Sequence, residues 1–255
     1  MEDKIINFKL SDFEKEGLYL IFPDLTRLEL TKENIEKTSE NFWQDTSKIT
    51  PKMKEAIDFQ KCYFCPRKNK EDICDAIRPI LPFLDSIDKY LSFDEVIAVY
   101  KSNQDGLLHV KKTAMQGALQ YVSILSLLRY NMVLRKYWKY YYGVIPLMTG
   151  KEVACRVYIN MYWQHKGNKE ELNKVIAQFA EELKVSSENQ IKRMNLVCKN
   201  DVFMNSFVKT QAVTEFFTMN IEEAIAKSIE GFEQSYTHHF KKIAVLLLVL
   251  RILPS

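Results

Sequence analysis

Three cysteines carry the spacing in this chain with the clearest chemistry. In QKCYFCPRKNKEDICDA, Cys62, Cys65 and Cys74 form the pattern C-x2-C-x8-C. A two-residue gap lets the backbone reverse between two thiols, so that both face one ion, and zinc and iron-sulfur knuckles use this turn. Pro66 and the basic Arg67, Lys68 and Lys70 follow, and positive charge offsets that of thiolates. The spacing predicts a structural zinc knuckle, with an iron-sulfur cluster as its alternative. A tetrahedral site needs four ligands, and no fourth cysteine lies nearby. Cys155, Cys198, His109 and His165 are candidates from elsewhere in the chain, and Asp75 is a local one. Against the metal stands a plainer reading, in which the loop holds three unliganded thiols. A catalytic cysteine would need a histidine beside it, and sequence spacing pairs none.

The second feature is electrostatic. Formal net charge is only +3, yet residues 1–60 hold 13 acids against 9 bases, and from Gly106 to Lys151 there is no Asp or Glu. Lys111, Lys112, Arg129, Arg135, Lys136, Lys139 and Lys151 place seven positive charges in that stretch. Within it, LRKYWKYYYG interleaves Tyr137, Trp138, Tyr140, Tyr141 and Tyr142 with Arg135, Lys136 and Lys139. Rings that stack bases beside cations that bind phosphates suit a nucleotide or single-stranded nucleic acid. The candidate ligand-binding set is therefore Lys111, Lys112, Arg129, Arg135, Lys136, Trp138 and Lys139. Tyrosines at helical spacing also serve as core packing with the hydroxyls at the rim, opposing charges from the N-terminal lobe could neutralise the cations as an internal clamp, and a protein partner is the remaining reading. The chain has no G-x-G-x-x-G, P-loop, G-x-S-x-G or H-E-x-x-H, and only 7 glycines from which to build phosphate-cradling loops.

These residues need elements to position them. Ile5 to Leu10, Leu18 to Phe22 and Arg27 to Leu30 are short apolar runs separated by Gly17 and Pro23, which predicts a strand meander. A short helix or connector follows through Ile35, Phe42 and Trp43, and Pro51 opens a second helix into the cysteines. SFDEVIAVYK allows either a Ser92/Glu95 capping box or a strand from Val96 to Lys101, and the strand is preferred; SNQDG then turns into LLHVKK to make a hairpin. Thr113 with Gln116 fits a capping box that opens a long helix or helical pair, uninterrupted by proline until Pro146. Asn168 and Glu171 cap a helix in which Leu172, Val175, Ile176, Phe179 and Leu183 share one face. Asn220 and Glu223 repeat the signal before a last helix.

The residues Gln60, Cys62, Cys65, Pro66, Cys74 and Ala76, followed by Thr113, Gln116, Leu119 and Ser123, resemble an uncharacterised family of bacterial cytoplasmic proteins with a Q-C-x2-C-P…C-x-A signature. The likeness spans roughly residues 15–130 and implies no known activity. Members of that family carry a further cysteine after the T-x2-Q helix, where this chain has Asn131 and Met132.

At 255 residues, with 47% hydrophobic and 27% charged, the composition is that of a globular protein and excludes the disordered and fibrous classes. A chain this long buries roughly three quarters of its extended surface, so neither disulfides nor metal is needed for folding as such. The N-terminus lacks a signal-type apolar run, and the odd cysteine count fits thiols or ligands in a reducing compartment; both predict a cytoplasmic protein. The longest apolar run, Ile243 to Leu250, falls short of the roughly 20 residues a spanning helix needs, which predicts no transmembrane segment and a core helix, with a membrane-surface or partner-binding tail as the alternative. The expected architecture is α+β and predominantly helical. A strand-bearing lobe with the cysteine loop occupies residues 1–105 and a helical body occupies 106–255, as two parts or one continuous domain. The expected function is a non-enzymatic binding or regulatory protein, with a metal-dependent redox enzyme as the alternative.

Overall fold

A computed structural model describes residues 9–218 apart from 60, 68, 70–72, 104–105 and 166–167. Its sheet begins where the apolar runs flank Pro23. Strand β1 (Gly17–Ile21) turns back into β2 (Arg27–Thr31), with Leu18 opposite Leu30 and Leu20 opposite Leu28. Asp24 builds the turn, its Oδ1 accepting from the Thr26 N–H at 2.9 Å and the Thr26 hydroxyl at 2.6 Å. Gly17 allows the strands to close: with φ +152° it lies where a Cβ would stand 2.7 Å from Thr31 Cα. Strand β3 (Glu95–Lys101) pairs with the other side of β1, and β4 (Leu108–Ala114) pairs along all of β3, giving the antiparallel order β2-β1-β3-β4. That register runs across the 105/106 position.

Period-two alternation divides the sheet into two faces. Leu18, Leu20, Val96 and Ala98 join the main core, whereas Tyr19, Ile21 and Val99 form a smaller cluster with Phe13. Helices follow where caps permit them. Thr31 Oγ1 accepts from Asn34 N–H to open α1 (Lys32–Gln44), and Thr50 accepts from Met53 N–H to open α2 (Pro51–Asp58). A 3₁₀ turn at Leu81–Phe83 runs into the short α3 (Leu84–Ile87) before the sheet resumes.

The helical portion departs from its local signals at one place. Thr113, expected as a helix cap, lies inside β4 opposite Val96, and α4 (Met115–Ala118) starts from Ala114 without a side-chain cap. Pairing with β3 outweighs a capping box worth about 1 kcal/mol. Instead of a long helix, the chain proceeds through α5 (Gln120–Ile124), a π-helical turn at Leu125–Tyr130 and a 3₁₀ helix at Leu134–Tyr141. Helix α6 (Gly150–Gln164) opens on a Thr149/Glu152 capping box. Helix α7 (Lys169–Val197) opens as expected on Asn168, whose side chain accepts from Glu171 N–H, and α8 (Val202–Thr218) packs back along it. One core cluster contains Leu20 and Ile77 together with Leu127, Phe179 and Phe207, so sheet, cysteine-loop flank and helices share it. No helix among the described residues is long and apolar enough to cross a membrane. Of the strand expected at Ile5–Leu10, residues 5–8 lie outside the described residues and Leu10 opens a 3₁₀ turn (Leu10–Asp12); the Asn220 cap and the apolar stretch Ile243–Leu250 also lie outside the described residues.

Candidate functional site

The N-terminal half of α7 presents Leu172, Phe179 and Leu183 to the core, and the same helical face continues with polar residues. Glu182, Ser186, Asn189, Gln190 and Arg193 are all buried, with Ser186, Gln190 and Arg193 at 0% exposure. Buried polar groups need partners, and the cysteine loop supplies several of them. Asn189 Nδ2 donates to Cys62 Sγ at 3.2 Å, Gln190 Nε2 donates to Cys74 Sγ at 3.4 Å, and Ser186 Oγ lies 3.8 Å from Cys62 Sγ. Arg193 Nη2 donates to the Phe59 carbonyl, and its guanidinium lies over the Phe59 ring.

Within the loop the backbone reverses as the two-residue gap requires, with Cys65 N–H donating to the Cys62 carbonyl at 2.9 Å. Arg67 closes the loop on Asp75 at 2.7 Å. The π-helical turn packs against the loop's far end: Ser126 Oγ donates to the Ala76 carbonyl at 2.5 Å, and Asn131 ends the turn. Asn131 Oδ1 then accepts from Val133 and Leu134 N–H to start the 3₁₀ helix. A cavity of about 20 Å³ remains between loop and turn, bordered by Cys65, Cys74, Asp75, Lys61, Arg67, Ile73, Asn131 and Met132. Cys62 is not among these; it is buried against Ser186 and Asn189. Asp75 also walls a wider groove of about 260 Å³, where Glu36 and Glu40 of α1 face Arg78 and Tyr130.

Among the described residues no three His, Cys, Asp or Glu side chains gather as a metal-holding group. A zinc quartet, which needs four such ligands, is not assembled among the described residues, and Cys65 and Cys74 are the two of the three cysteines that border one cavity. Three of the candidates for a fourth ligand are engaged elsewhere. His109 stacks on Tyr100, His165 Nε2 lies 3.0 Å from Tyr140 OH, and the Cys198 thiol is pushed up to about 12 by burial and by Asp88. Cys155 sits half-buried on α6.

The acid-free stretch finds acids supplied from other parts of the chain. Lys136 meets both Glu182 oxygens at 2.8 and 2.9 Å, Lys112 pairs with Glu95 at 2.7 Å, and Lys111 Nζ donates to the Leu147 carbonyl. Tyr137, Tyr140 and Tyr141 are buried, and burial raises the hydroxyl pKa of Tyr137 and Tyr141. Trp138 is half-buried and stacks parallel to Tyr141. Lys139 lies over the Tyr140 ring, and Arg129 and Arg135 are exposed. Three of the five aromatics are thus packing, Tyr142 is exposed, and Arg129, Arg135 and Lys139 are the cations of the candidate set left without a carboxylate or carbonyl named above. Sequence reasoning missed the polar face of α7. Its signal was available: Ser186, Gln190 and Arg193 continue the spacing of Phe179 and Leu183, which puts polar residues at core positions. Compared with protein-family models, curated proteins and solved structures, the chain matched none.

Proposed function

We propose that this chain is a non-enzymatic binding protein in which the cysteine loop, clamped on the polar face of α7, holds a thiophilic metal. The observation that carries the reading is the pair of amide donors on two different sulfurs, Asn189 on Cys62 and Gln190 on Cys74. These two amides fix the loop's sulfurs on α7 and so hold in place the turn at which a metal would sit. The loop also carries the resemblance to the Q-C-x2-C-P…C-x-A family. Metal analysis of purified wild type against a Cys62→Ser/Cys65→Ser double variant tests the reading. Bound metal in wild type and its loss in the variant are expected. Zinc would be colourless and an iron-sulfur cluster brown, and equal metal content in the two proteins, including none, overturns the proposal.

A second element of the reading is an anionic ligand, such as a nucleotide or a short single-stranded nucleic acid, at Arg129, Arg135 and Lys139. The exposure of Arg135 with no side-chain partner among the described residues favours it. Binding of short DNA, RNA and dinucleotides should weaken steeply with salt and disappear in Arg135→Ala/Lys139→Ala. No binding at low salt leaves a protein partner as the better occupant.

A further inference from the structure

We propose that the metal seat is the small cavity between the cysteine loop and the π-helical turn, and that it takes Cu(I) through Cys65 and Cys74, with the Met132 thioether beside them. This rests on the reading of the loop as a metal site and makes Cys62 an anchor of the loop instead of a ligand. Cys65, Cys74 and Met132 border the same cavity of about 20 Å³. That volume admits a single small occupant. Cys62 borders none of it and has its sulfur satisfied by Asn189 and Ser186.

The donor set selects the ion. Zinc in structural sites takes four ligands from Cys, His or carboxylate, and no three such side chains gather among the described residues. Thiolate and thioether sulfurs are the soft donors that favour Cu(I). Gln190, fully buried on α7, fixes the Cys74 side of the cavity, its Nε2 donating to Cys74 Sγ. Binding exchanges two S–H bonds for two S–Cu bonds and releases two protons, without change of oxidation state.

The test is anaerobic titration of the reduced protein with Cu(I) in competition with a chromophoric chelator, for wild type and single variants of matched folding. Wild type and Cys62→Ala should hold one equivalent with affinities within a few-fold of each other. Cys65→Ser and Cys74→Ser should lose at least a hundredfold, and Met132→Leu about tenfold. Because Cys62 is buried and its variant could misfold, alkylation of wild type read by peptide mass spectrometry gives a second measurement. Cu(I) should protect Cys65 and Cys74 and leave the labelling of Cys62 unchanged. Equal loss in Cys62→Ala and Cys65→Ser, or protection of all three thiols, overturns this assignment while preserving the three-cysteine knuckle. Failure of wild type to retain Cu(I), zinc or iron overturns both.

Discussion

Helix α7 can present its polar face to the cysteine loop only if its C-terminal end is held, and Asp88 holds it. This residue caps α3 and is 9% exposed. Its carboxylate accepts from Lys199 N–H at 2.6 Å and Asn200 N–H at 3.0 Å, the first residues beyond the Cys198 cap of α7, and its carbonyl accepts from Asn200 Nδ2. Asp88→Ala removes the acceptor of both backbone donors. A buried donor left unmade costs about 1–3 kcal/mol. Lys199 is exposed and Asn200 half-buried, so water recovers part of this, and about 2–4 kcal/mol in total is expected. For a fold of this size that corresponds to a fall in Tm of about 5–15 °C. Asp88→Asn retains one oxygen but turns an amide donor toward the other N–H, so it should recover less than half the loss. Thermal melts followed by circular dichroism, with urea unfolding at unchanged m-value, measure both variants. A Tm for Asp88→Ala within about 1 °C of wild type would refute the clamp, because two backbone donors that lose a carboxylate acceptor cannot be that cheap even with partial access to water.

Two pH dependences follow from neighbouring groups. Burial alone would raise the Asp201 carboxyl, but donors from the Ser92 hydroxyl and N–H, its own N–H and Asn205 outweigh burial and hold it below the ordinary carboxylate value. Its contribution is therefore present above pH about 4 and lost as pH falls through the lowered value, so the stability gap between wild type and Asp201→Asn should close in acid. A gap that stays constant down to pH 2 would count against it. Burial, then Asp88, pushes the Cys198 thiol up to about 12. Its contribution is intact below the unfolded value near 9 and falls as pH rises toward 12, by at most about 1.4 kcal/mol per pH unit. Cys198→Ala should show a shallower alkaline decline in urea midpoint, and identical slopes would rule this out.

Local chemistry read along the chain determined most of the element types. Short apolar runs flanking Pro23 and in EVIAVYK pointed to strands, and Pro51 and Asn168 pointed to helix starts, because turn residues and caps act over a few residues. The C-x2-C gap likewise determined the turn at Cys62–Cys65. What the chain does with its charges and thiols was decided at long range. Glu182, which neutralises Lys136, lies 46 residues away, and Asn189, which holds Cys62, lies 127 away. No local pattern encodes such pairings. The acid-free stretch therefore read as one cationic surface, although the fold brings carboxylates and carbonyls to Lys111, Lys112 and Lys136. The Thr113 cap failed for the same reason, since a strand seven residues long on its neighbour outweighs one side-chain bond. Three cysteines close in sequence read as one ligand set. The fold sets Cys62 against Ser186 and Asn189 and Cys74 against Gln190, all on α7, with Cys65 and Cys74 bordering one small cavity, and those contacts come from a helix more than a hundred residues further along the chain.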